Sequence, residues 1–288
     1  MKNLKASVMG LFLAITGIAS AQYNVLEYNP KPTVEDGRAY LIHEDYNNRV
    51  LEYPYVREDD VMWTKEYIQK IDLKQKVNLP LYFPVNPTRD RMSLSDILFN
   101  AVLKEKSITA YDDEYFQEKL SAQQINKRLF SVDSILSEDF ETGEDVMIYD
   151  TLKIRSRDII EYLVREERFF DKKRSVIDVR IIAMCPVAEY MNTETGQLEK
   201  RKLFWVYFPD SRPVFANANV YNVFNNAERM TYDELFHKRM FSAVIQKETN
   251  LYDRSIYDYK TFRKIDQLLE AERIKEEIRN FESDLWEY

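Results

Sequence analysis

Three consecutive stretches decide the fold class of this 288-residue chain: VIDVRIIAMC at residues 176–185, TETGQ at 193–197 and KLFWVYF at 202–208. The first and third stretches are rich in β-branched, aromatic and other apolar residues, which favour strands. The stretch between them contains a glycine and is typical of a turn. A strand, a turn and a strand in this order predict an antiparallel β-hairpin, and the first strand is expected to be buried.

Two capping signals predict helices on either side of this hairpin. Ser93 can accept the first free amides of one helix, and Asp96 is at the capping-box position three residues later. Thr231 caps a second helix in the same way, with Glu234 completing its capping box. Both signals predict helices that begin directly after the capping residue.

Apolar residues at a helical period predict further helices. These cover residues 58–71, 114–129, 157–170 and 260–285. The last is long and amphipathic, with an apolar stripe of Ile274, Ile278, Phe281 and Leu285. On the helix after Thr231, the expected stripe is Phe236, Met240 and Val244.

The acidic tract at residues 137–145 predicts a solvated loop or a hairpin tip around Gly143. Helices and hairpin strands are thus mixed along the chain without a repeating β-α-β pattern. The predicted fold class is therefore α+β, with mixed helices, antiparallel hairpin strands and a long C-terminal amphipathic helix.

Residues 1–21 have the three parts of a secretory signal peptide. Lys2 and Lys5 supply a positive start, residues 8–18 an uncharged apolar core, and ASA at 19–21 a small-residue cleavage site. The apolar core is shorter than the roughly 20 residues that a membrane-spanning helix needs. We therefore expect a mature chain that works outside the cytoplasm. It should carry no lipid anchor, since no cysteine lies at the cleavage site.

Residues 22–60 lack a sustained apolar period and contain three prolines, so we expect an extended arm before a core domain at 61–288. Tyrosine is frequent in this arm, and its large ring with a polar tip suits protein interfaces. The arm either docks on a partner subunit or folds onto its own domain. Its tyrosines are Tyr23, Tyr28, Tyr40, Tyr46, Tyr53 and Tyr55.

Composition excludes two classes of function. Without the two lysines of the leader, 39 basic residues face 49 acidic ones, a net charge of −10. Such a chain is a poor nucleic-acid binder, because phosphate contacts need a basic surface. Only Gly37, Gly143 and Gly196 follow the leader, and isolated glycines cannot form a phosphate-binding loop.

Residues for metal or redox chemistry are few. His43 and His237 are the only histidines, and Glu234 with His237 forms one i, i+3 pair. Di-iron bundles need that pair twice and two further glutamates. Cys185 is the only cysteine, so no intramolecular disulfide can form, and its apolar neighbours favour a buried thiol. We expect neither a metal nor a cofactor.

Hydrolytic chemistry is restricted to carboxylates. There is no Gly-x-Ser-x-Gly elbow to hold a nucleophilic serine. Acidic residues are plentiful, so a carboxylate pair for glycoside hydrolysis stays open. For Asp112, Asp113 and Glu114, a cluster at a helix start is the alternative interpretation.

An unusual asparagine-rich stretch follows the hairpin. It has the sequence SRPVFANANVYN at residues 211–222 and leads to the Thr231 cap. Asparagine tolerates unusual backbone geometry and bonds its own turn, so a loop held by side chains is one interpretation. Together with FWVYFPD at 204–210, this stretch strongly resembles the gliding-motility protein N family, GldN/PorN. The resemblance covers essentially the whole mature chain.

The resemblance implies a periplasmic component of the type IX secretion system of Bacteroidetes. Members of this family associate with an outer-membrane lipoprotein, GldK or PorK, in a multi-copy ring beneath the outer membrane. They also contact the periplasmic part of a GldM or PorM motor protein. The expected function is a non-enzymatic structural subunit without a membrane insertion of its own. The alternative is a secreted carboxylate-dependent hydrolase that acts on cell-wall sugars.

Candidate partner-binding positions follow from residue chemistry, since the family supplies no catalytic residues. Large aromatic side chains in irregular segments are the candidates, and ordinary internal packing is the alternative for each. Besides the six tyrosines of the arm, they are Phe215, Tyr221, Tyr252, Tyr257 and Tyr259.

Overall fold

The computed structural model describes residues 48–88, 91–138, 145–191, 197–222, 229–260 and 263–285, with the backbone alone at 131–138, 145–152 and 191. The chain divides into two units, and every described residue belongs to the second, Asn47–Tyr288. The predicted signal peptide lies outside the described residues. The predicted boundary between arm and core domain at residue 60 stays a prediction.

An antiparallel sheet forms the centre of the second unit. The strands are β1 Val61–Asp72, β2 Ala110–Tyr111, β3 Phe130–Glu138, β4 Asp145–Lys153, β5 Ile159–Asp171, β6 Val176–Met191, β7 Leu198–Lys202, β8 Trp205–Tyr207 and β9 Val244–Glu248. Seven of them form the main sheet in the order β2-β8-β6-β5-β1-β9, with β7 also paired to β6. β3 and β4 pair with each other as a separate hairpin.

The helices of the described residues surround this sheet. They are α1 Leu79–Tyr82, α2 Leu94–Phe99, α3 Ala122–Leu129, α4 Phe208–Ala216, α5 Tyr232–His237, α6 Ile256–Tyr259 and α7 Lys264–Asp284. Both predicted caps are present. The Ser93 hydroxyl accepts from the Asp96 N–H, and the Thr231 hydroxyl accepts from the Glu234 N–H, each at 3.2 Å. The α+β class and the long C-terminal helix are confirmed.

The hairpin that begins at Val176 is confirmed, and its return is split. β7 and β8 are both antiparallel to β6, with Ala188 opposite Arg201 and Met184 opposite Val206. Leu203 and Phe204 separate the two returning strands and are buried in the core. Residues 193–196 of the predicted turn lie outside the described residues.

The helix predictions for residues 58–71 and 157–170 are wrong. These residues form β1 and β5, which pair along nearly their whole length, with Asp72 opposite Glu161. In the middle of β5, four consecutive side chains from Glu161 to Val164 are buried. A strand that is covered on both faces shows no alternation of polar and apolar residues, so its apolar positions also fit a helical period.

Two further helices are shorter than predicted. The helix expected at residues 114–129 begins only at Ala122, where Ser121 and Gln124 form a capping box. The stripe expected after Thr231 is also wrong, because α5 ends at His237. Beyond that end Met240 is exposed, and Val244 belongs to β9.

The hairpin alternative for the acidic tract at 137–145 is confirmed at its base. Glu138 lies opposite Asp145 at the end of the β3–β4 ladder. Residues 139–144 lie outside the described residues. The tract therefore connects two paired strands.

Apolar side chains form three clusters around the sheet. The largest packs α2, α4 and α5 against the sheet, and a smaller one on the other side includes Leu163, Cys185 and Trp205. The third lies beneath α7 and joins Tyr67 of β1 to the helix. The predicted stripe of α7 is confirmed, since Ile274 and Ile278 are buried there and Phe281 packs on Trp63 at 4.9 Å between ring centroids. These clusters hold α4, α5 and α7 against the sheet.

Candidate interaction surfaces

Residues 48–57, which we call the strap, lie on the body of the protein. The Asn48 backbone N–H donates to Asn217 Oδ1 at 3.0 Å, and its side chain donates to the Ala216 carbonyl at 3.2 Å. Further along, Arg180 donates to the Pro54 carbonyl at 2.7 Å. For this described end of the predicted arm, contact with its own domain is what the structure shows. Tyr55 is the exception, because its side chain is exposed.

The strap is fixed by a buried ion pair. Arg212 of α4 donates to both carboxylate oxygens of Asp233 in α5, at 2.7 and 3.0 Å, and both side chains are 6% exposed. Arg212 also donates to the Leu51 carbonyl at 2.7 Å and lies 4.3 Å from the ring centroid of Tyr53. Burial raises the pKa of Tyr53, against the opposing effect of the Arg212 charge. Tyr53 therefore works as a neutral lid over a buried charge pair.

The candidates of the asparagine-rich segment differ in exposure. Phe215 is completely buried and contacts the rings of Phe208 and Phe236, with centroids 5.6 and 6.0 Å away. Tyr221 is half-buried, with the guanidinium of Arg91 5.9 Å from its ring centroid. Phe215 packs in the core, so it offers no surface to a partner in this structure.

Exposed apolar side chains are concentrated in residues 251–269. The residues after β9, α6 and the first turns of α7 make up this segment. Tyr252 is 70% exposed and Leu269 is 64% exposed. Among the described residues of this segment, the exposed large apolar side chains are Leu251, Tyr252, Tyr257, Tyr259, Ile265, Leu268 and Leu269. Large apolar side chains that are exposed and close together in the chain are candidates for a protein interface.

Helix α7 has two apolar stripes on different faces. Ala271, Ile274 and Ile278 are buried against the sheet. Ile265, Leu268 and Leu269 follow an i, i+3, i+4 spacing and are exposed. At about 100° per residue, the centres of the stripes lie roughly 140° apart around the helix axis. The helix thus binds the body with one face and presents a second apolar face near its N-terminus.

A buried charge cluster lies under the C-terminal part of α7. Glu166 of β5 is 0% exposed, accepts from Gln69 at 2.9 Å and pairs with Arg239 at 2.9 Å. Arg168 of the same strand lies 4.0 Å from the Glu166 carboxylate, and burial lowers the pKa of its guanidinium. The Glu166 carboxylate thus lies in the interior between two guanidinium groups, which is the arrangement of a structural ion-pair cluster.

A second charged cluster surrounds Lys247 of β9. Its ammonium group contacts Glu114 at 3.0 Å and Asp253 at 2.8 Å. Burial alone would lower the pKa of Lys247, but the bonds to these two carboxylates raise it. Next to it, Glu66 accepts from Arg165 at 2.7 Å. Each carboxylate of this cleft is neutralised by a cation, which is the pattern of a structural network.

A basic groove lies between α3 and β7. It has a volume of about 370 Å³ and is lined by Gln124, Lys127, Arg128, Arg201 and Lys202. Arg128 forms an ion pair with Asp112, and its guanidinium donates to the Leu203 carbonyl at 3.0 Å. The predicted acidic cluster at 112–114 is thus divided between two networks, since Asp112 meets Arg128 and Glu114 meets Lys247.

The comparisons with known proteins identify the family. The model of the gliding motility associated protein GldN matches residues 56–287, which is most of the chain. This chain belongs to the GldN family. A search of the curated proteins found no matching relative. The matched region includes the end of the strap and every element of the GldN fold described above.

The described residues of this GldN chain hold no group of three or more His, Cys, Asp or Glu side chains placed to bind a metal. His237 is exposed, with its ring centroid 5.9 Å from that of Tyr53. The neighbouring Glu234 pairs with Lys238 at 3.6 Å. Cys185 is fully buried, and burial raises the pKa of its thiol to about 12. In this structure Cys185 therefore packs in the interior, and His237 makes a surface contact with Tyr53.

Two further predictions concern the tyrosines of the arm and insertion into a membrane. Tyr23, Tyr28, Tyr40 and Tyr46 lie outside the described residues. Within the described part of the chain, no helix is both long and apolar enough to cross a bilayer.

Sequence reasoning missed Arg212, Asp233, Glu166 and the basic groove. Arg212 and Asp233 are 21 residues apart, and only the packing of α4 against α5 brings them together. The one available signal was an arginine within an otherwise uncharged stretch at residues 211–222.

Proposed function

We propose that this GldN-family protein is a non-enzymatic structural subunit of a periplasmic ring in the type IX secretion and gliding-motility machinery. In this proposal the ring contains many copies, and a GldK/PorK-like lipoprotein attaches it to the outer membrane. The periplasmic part of a GldM/PorM-like motor protein contacts the same ring. The signal-peptide pattern at residues 1–21 and the family membership support this assignment.

The exposed apolar segment 251–269 is the observation that carries the proposal. One face of α7 is buried against the sheet, and another face exposes Ile265, Leu268 and Leu269. Water solvates such an apolar surface poorly. Burying such side chains contributes about 1.5–3 kcal/mol each. Contact with a protein partner removes this surface from water. We therefore assign the contact with the lipoprotein to this segment.

The carboxylate arrangement favours the subunit over the cell-wall hydrolase. A glycosidase needs one carboxyl group that keeps its proton and a second carboxylate across a cleft. The buried Glu166 is paired with Arg239 and lies near Arg168, and Glu66, Glu114 and Asp253 are each ion-paired in their cleft. Each of these carboxylates is therefore engaged by a cation within a structural network.

Introducing a charge on α7 tests the proposal. Leu268→Glu and Leu269→Glu place a carboxylate in the exposed apolar face, and Val77→Glu is the matched control at another exposed apolar position. Tagged chains are purified from gently extracted envelopes, and the co-purified lipoprotein is quantified by mass spectrometry. We expect both α7 variants to lose most of the lipoprotein while Val77→Glu retains it. Equal recovery from all three folded variants would contradict the assignment of this surface.

A further inference from the structure

Along its outer edge, β7 has backbone groups that no other described residue pairs with. In the part of the chain that the structure describes, β7 pairs only with β6. The Leu203 N–H donates to the Pro186 carbonyl at 3.1 Å, which sets the phase of this antiparallel ladder. Because bonded pairs alternate along such a ladder, Arg201 bonds to β6, whereas the N–H and C=O groups of Lys200 and Lys202 point away from it. An extended chain can add at this edge.

The basic groove lies at the C-terminal end of this edge. Pro186 has no N–H to satisfy the Leu203 carbonyl, and Arg128 of α3 donates to that carbonyl instead. Arg201 lies 4.3 Å from the ring centroid of Tyr190, so its guanidinium is also held in place. Lys127 and Lys202 are exposed and have no ion pair with another described residue. The groove thus combines the guanidinium groups of Arg128 and Arg201, which neighbouring residues hold in place, with the ammonium groups of Lys127 and Lys202. Neither ammonium group has an ion pair with another described residue.

The charge of the edge selects its occupant. Lysines on an edge strand oppose the pairing of like strands, and β7, with the sequence LEKRK, carries three cations against one carboxylate. A chain with alternating carboxylates would instead place opposite charges along the same edge. Leu198 at the start of β7 is exposed and can pack on an apolar residue of such a chain.

We propose that β7 and the basic groove bind an extended acidic segment of a partner protein by strand addition. The backbone groups of Lys200 and Lys202 pair with the segment, and the side chains of Lys127, Arg201 and Lys202 bind its carboxylates. This inference rests on the proposed function, because it gives the chemistry of one partner of a structural subunit. The surface is separate in the chain from the apolar segment 251–269.

A peptide-binding experiment with the mature chain tests this proposal. The probe is a fluorescent decapeptide of alternating Glu and Val, and a Lys-Val peptide is the charge control. Anisotropy titrations at low and high salt should show binding of the acidic peptide that weakens with salt. Lys127→Glu combined with Lys202→Glu should weaken binding by about tenfold or more, whereas Lys275→Glu, a reversal on α7, should leave it unchanged.

A proline substitution separates strand addition from simple charge attraction. Lys200→Pro removes an outward N–H that β6 does not use, and Lys200→Ala is its matched control because both lose the side-chain bond to Glu161. We expect Lys200→Pro to lose binding about tenfold relative to Lys200→Ala, with both variants folded by circular dichroism. Equal binding by the two variants would overturn strand addition. So would the absence of peptide binding, or binding to phosphatidylglycerol vesicles in its place.

The outcome can be separated from the proposed function. Rings isolated from envelopes of the wild-type strain test the subunit assignment without the peptide. If rings form and the acidic peptide does not bind, this inference fails and the proposed function stands.

Discussion

Arg212 donates two hydrogen bonds to Asp233 in the interior, at 2.7 and 3.0 Å, and a third to the Leu51 carbonyl at 2.7 Å. One side chain therefore joins α4, α5 and the strap. The ring of Tyr53 covers the guanidinium and keeps the pair from water. The strap and the asparagine-rich segment are thus parts of one structural unit.

Breaking this pair should destabilise the fold strongly. Asp233→Ala leaves the Arg212 guanidinium buried without its counter-ion, which typically costs about 3–5 kcal/mol. Chemical denaturation followed by circular dichroism measures the loss. Lys238→Ala removes the exposed pair with Glu234 and should change the free energy of unfolding by less than about 1 kcal/mol. Equal effects of the two substitutions would contradict the structural role of Arg212 and Asp233.

The strap should loosen when its lid is removed. Tyr53→Ala deletes the ring that packs on Arg212 and Arg180, a change of about 1–2 kcal/mol at a partly desolvated site. Limited proteolysis with mass spectrometry should show faster cleavage near Leu51. Tyr55→Ala changes a ring that is 87% exposed and should leave the cleavage rate unaltered. An unchanged rate in Tyr53→Ala would show that the ring does not hold the strap.

Neutralising Glu166 should destabilise the contact between sheet and C-terminal helix. Glu166→Gln keeps the shape of the side chain but leaves Arg168 and Arg239 without their buried anion, at about 3 kcal/mol. Glu167→Gln on the same strand alters only a bond to Thr64 near the surface and serves as the control. Hydrogen exchange in α7 should rise for Glu166→Gln alone. A rise of the same size in the control would assign the effect to β5 in general.

The thiol of Cys185 should be inert until the protein unfolds. Burial raises its pKa from 9.0 to about 12, so the folded protein keeps the neutral thiol at pH values where the unfolded chain ionises. The stability that this thiol contributes is full below pH 9.0 and is lost as the pH rises towards 12. A thiol reagent at pH 8 should therefore react only at the rate of unfolding. Rapid labelling of the folded chain would contradict this burial.

Cys185→Ser tests the same site by substitution. A hydroxyl at a fully buried position costs about 1–3 kcal/mol, so we expect a lower melting temperature with normal ring assembly. Complete loss of secretion at normal protein levels would show that the thiol has a functional role.

Local signals predicted the parts of the fold that depend on local physics. The Ser93 and Thr231 caps and the buried stripe of α7 each involve residues within one or two helical turns. The hairpin from Val176 was also predictable, because strand and turn residues follow one another. The family resemblance rested on longer strings of residues, and the match over residues 56–287 confirms it.

Contacts between distant segments decided the rest. β1 became a strand because it lies between β5 and β9, and β5 lost its alternation because both of its faces are covered. The exposure of the aromatic candidates also depends on such contacts. Phe215 lies in the core because α4 packs on α5, whereas Tyr257 stays exposed on a helix of one turn. Aromatic character alone does not separate these two positions.

The native complex is the most direct test of the central claim. A tagged copy of this chain is expressed in the bacterium that encodes it. The envelopes are extracted gently, and the purified complex is examined by electron microscopy and mass spectrometry. The proposed function predicts rings with many copies of the chain and a second, lipid-anchored protein. A stable monomer without a partner would contradict it.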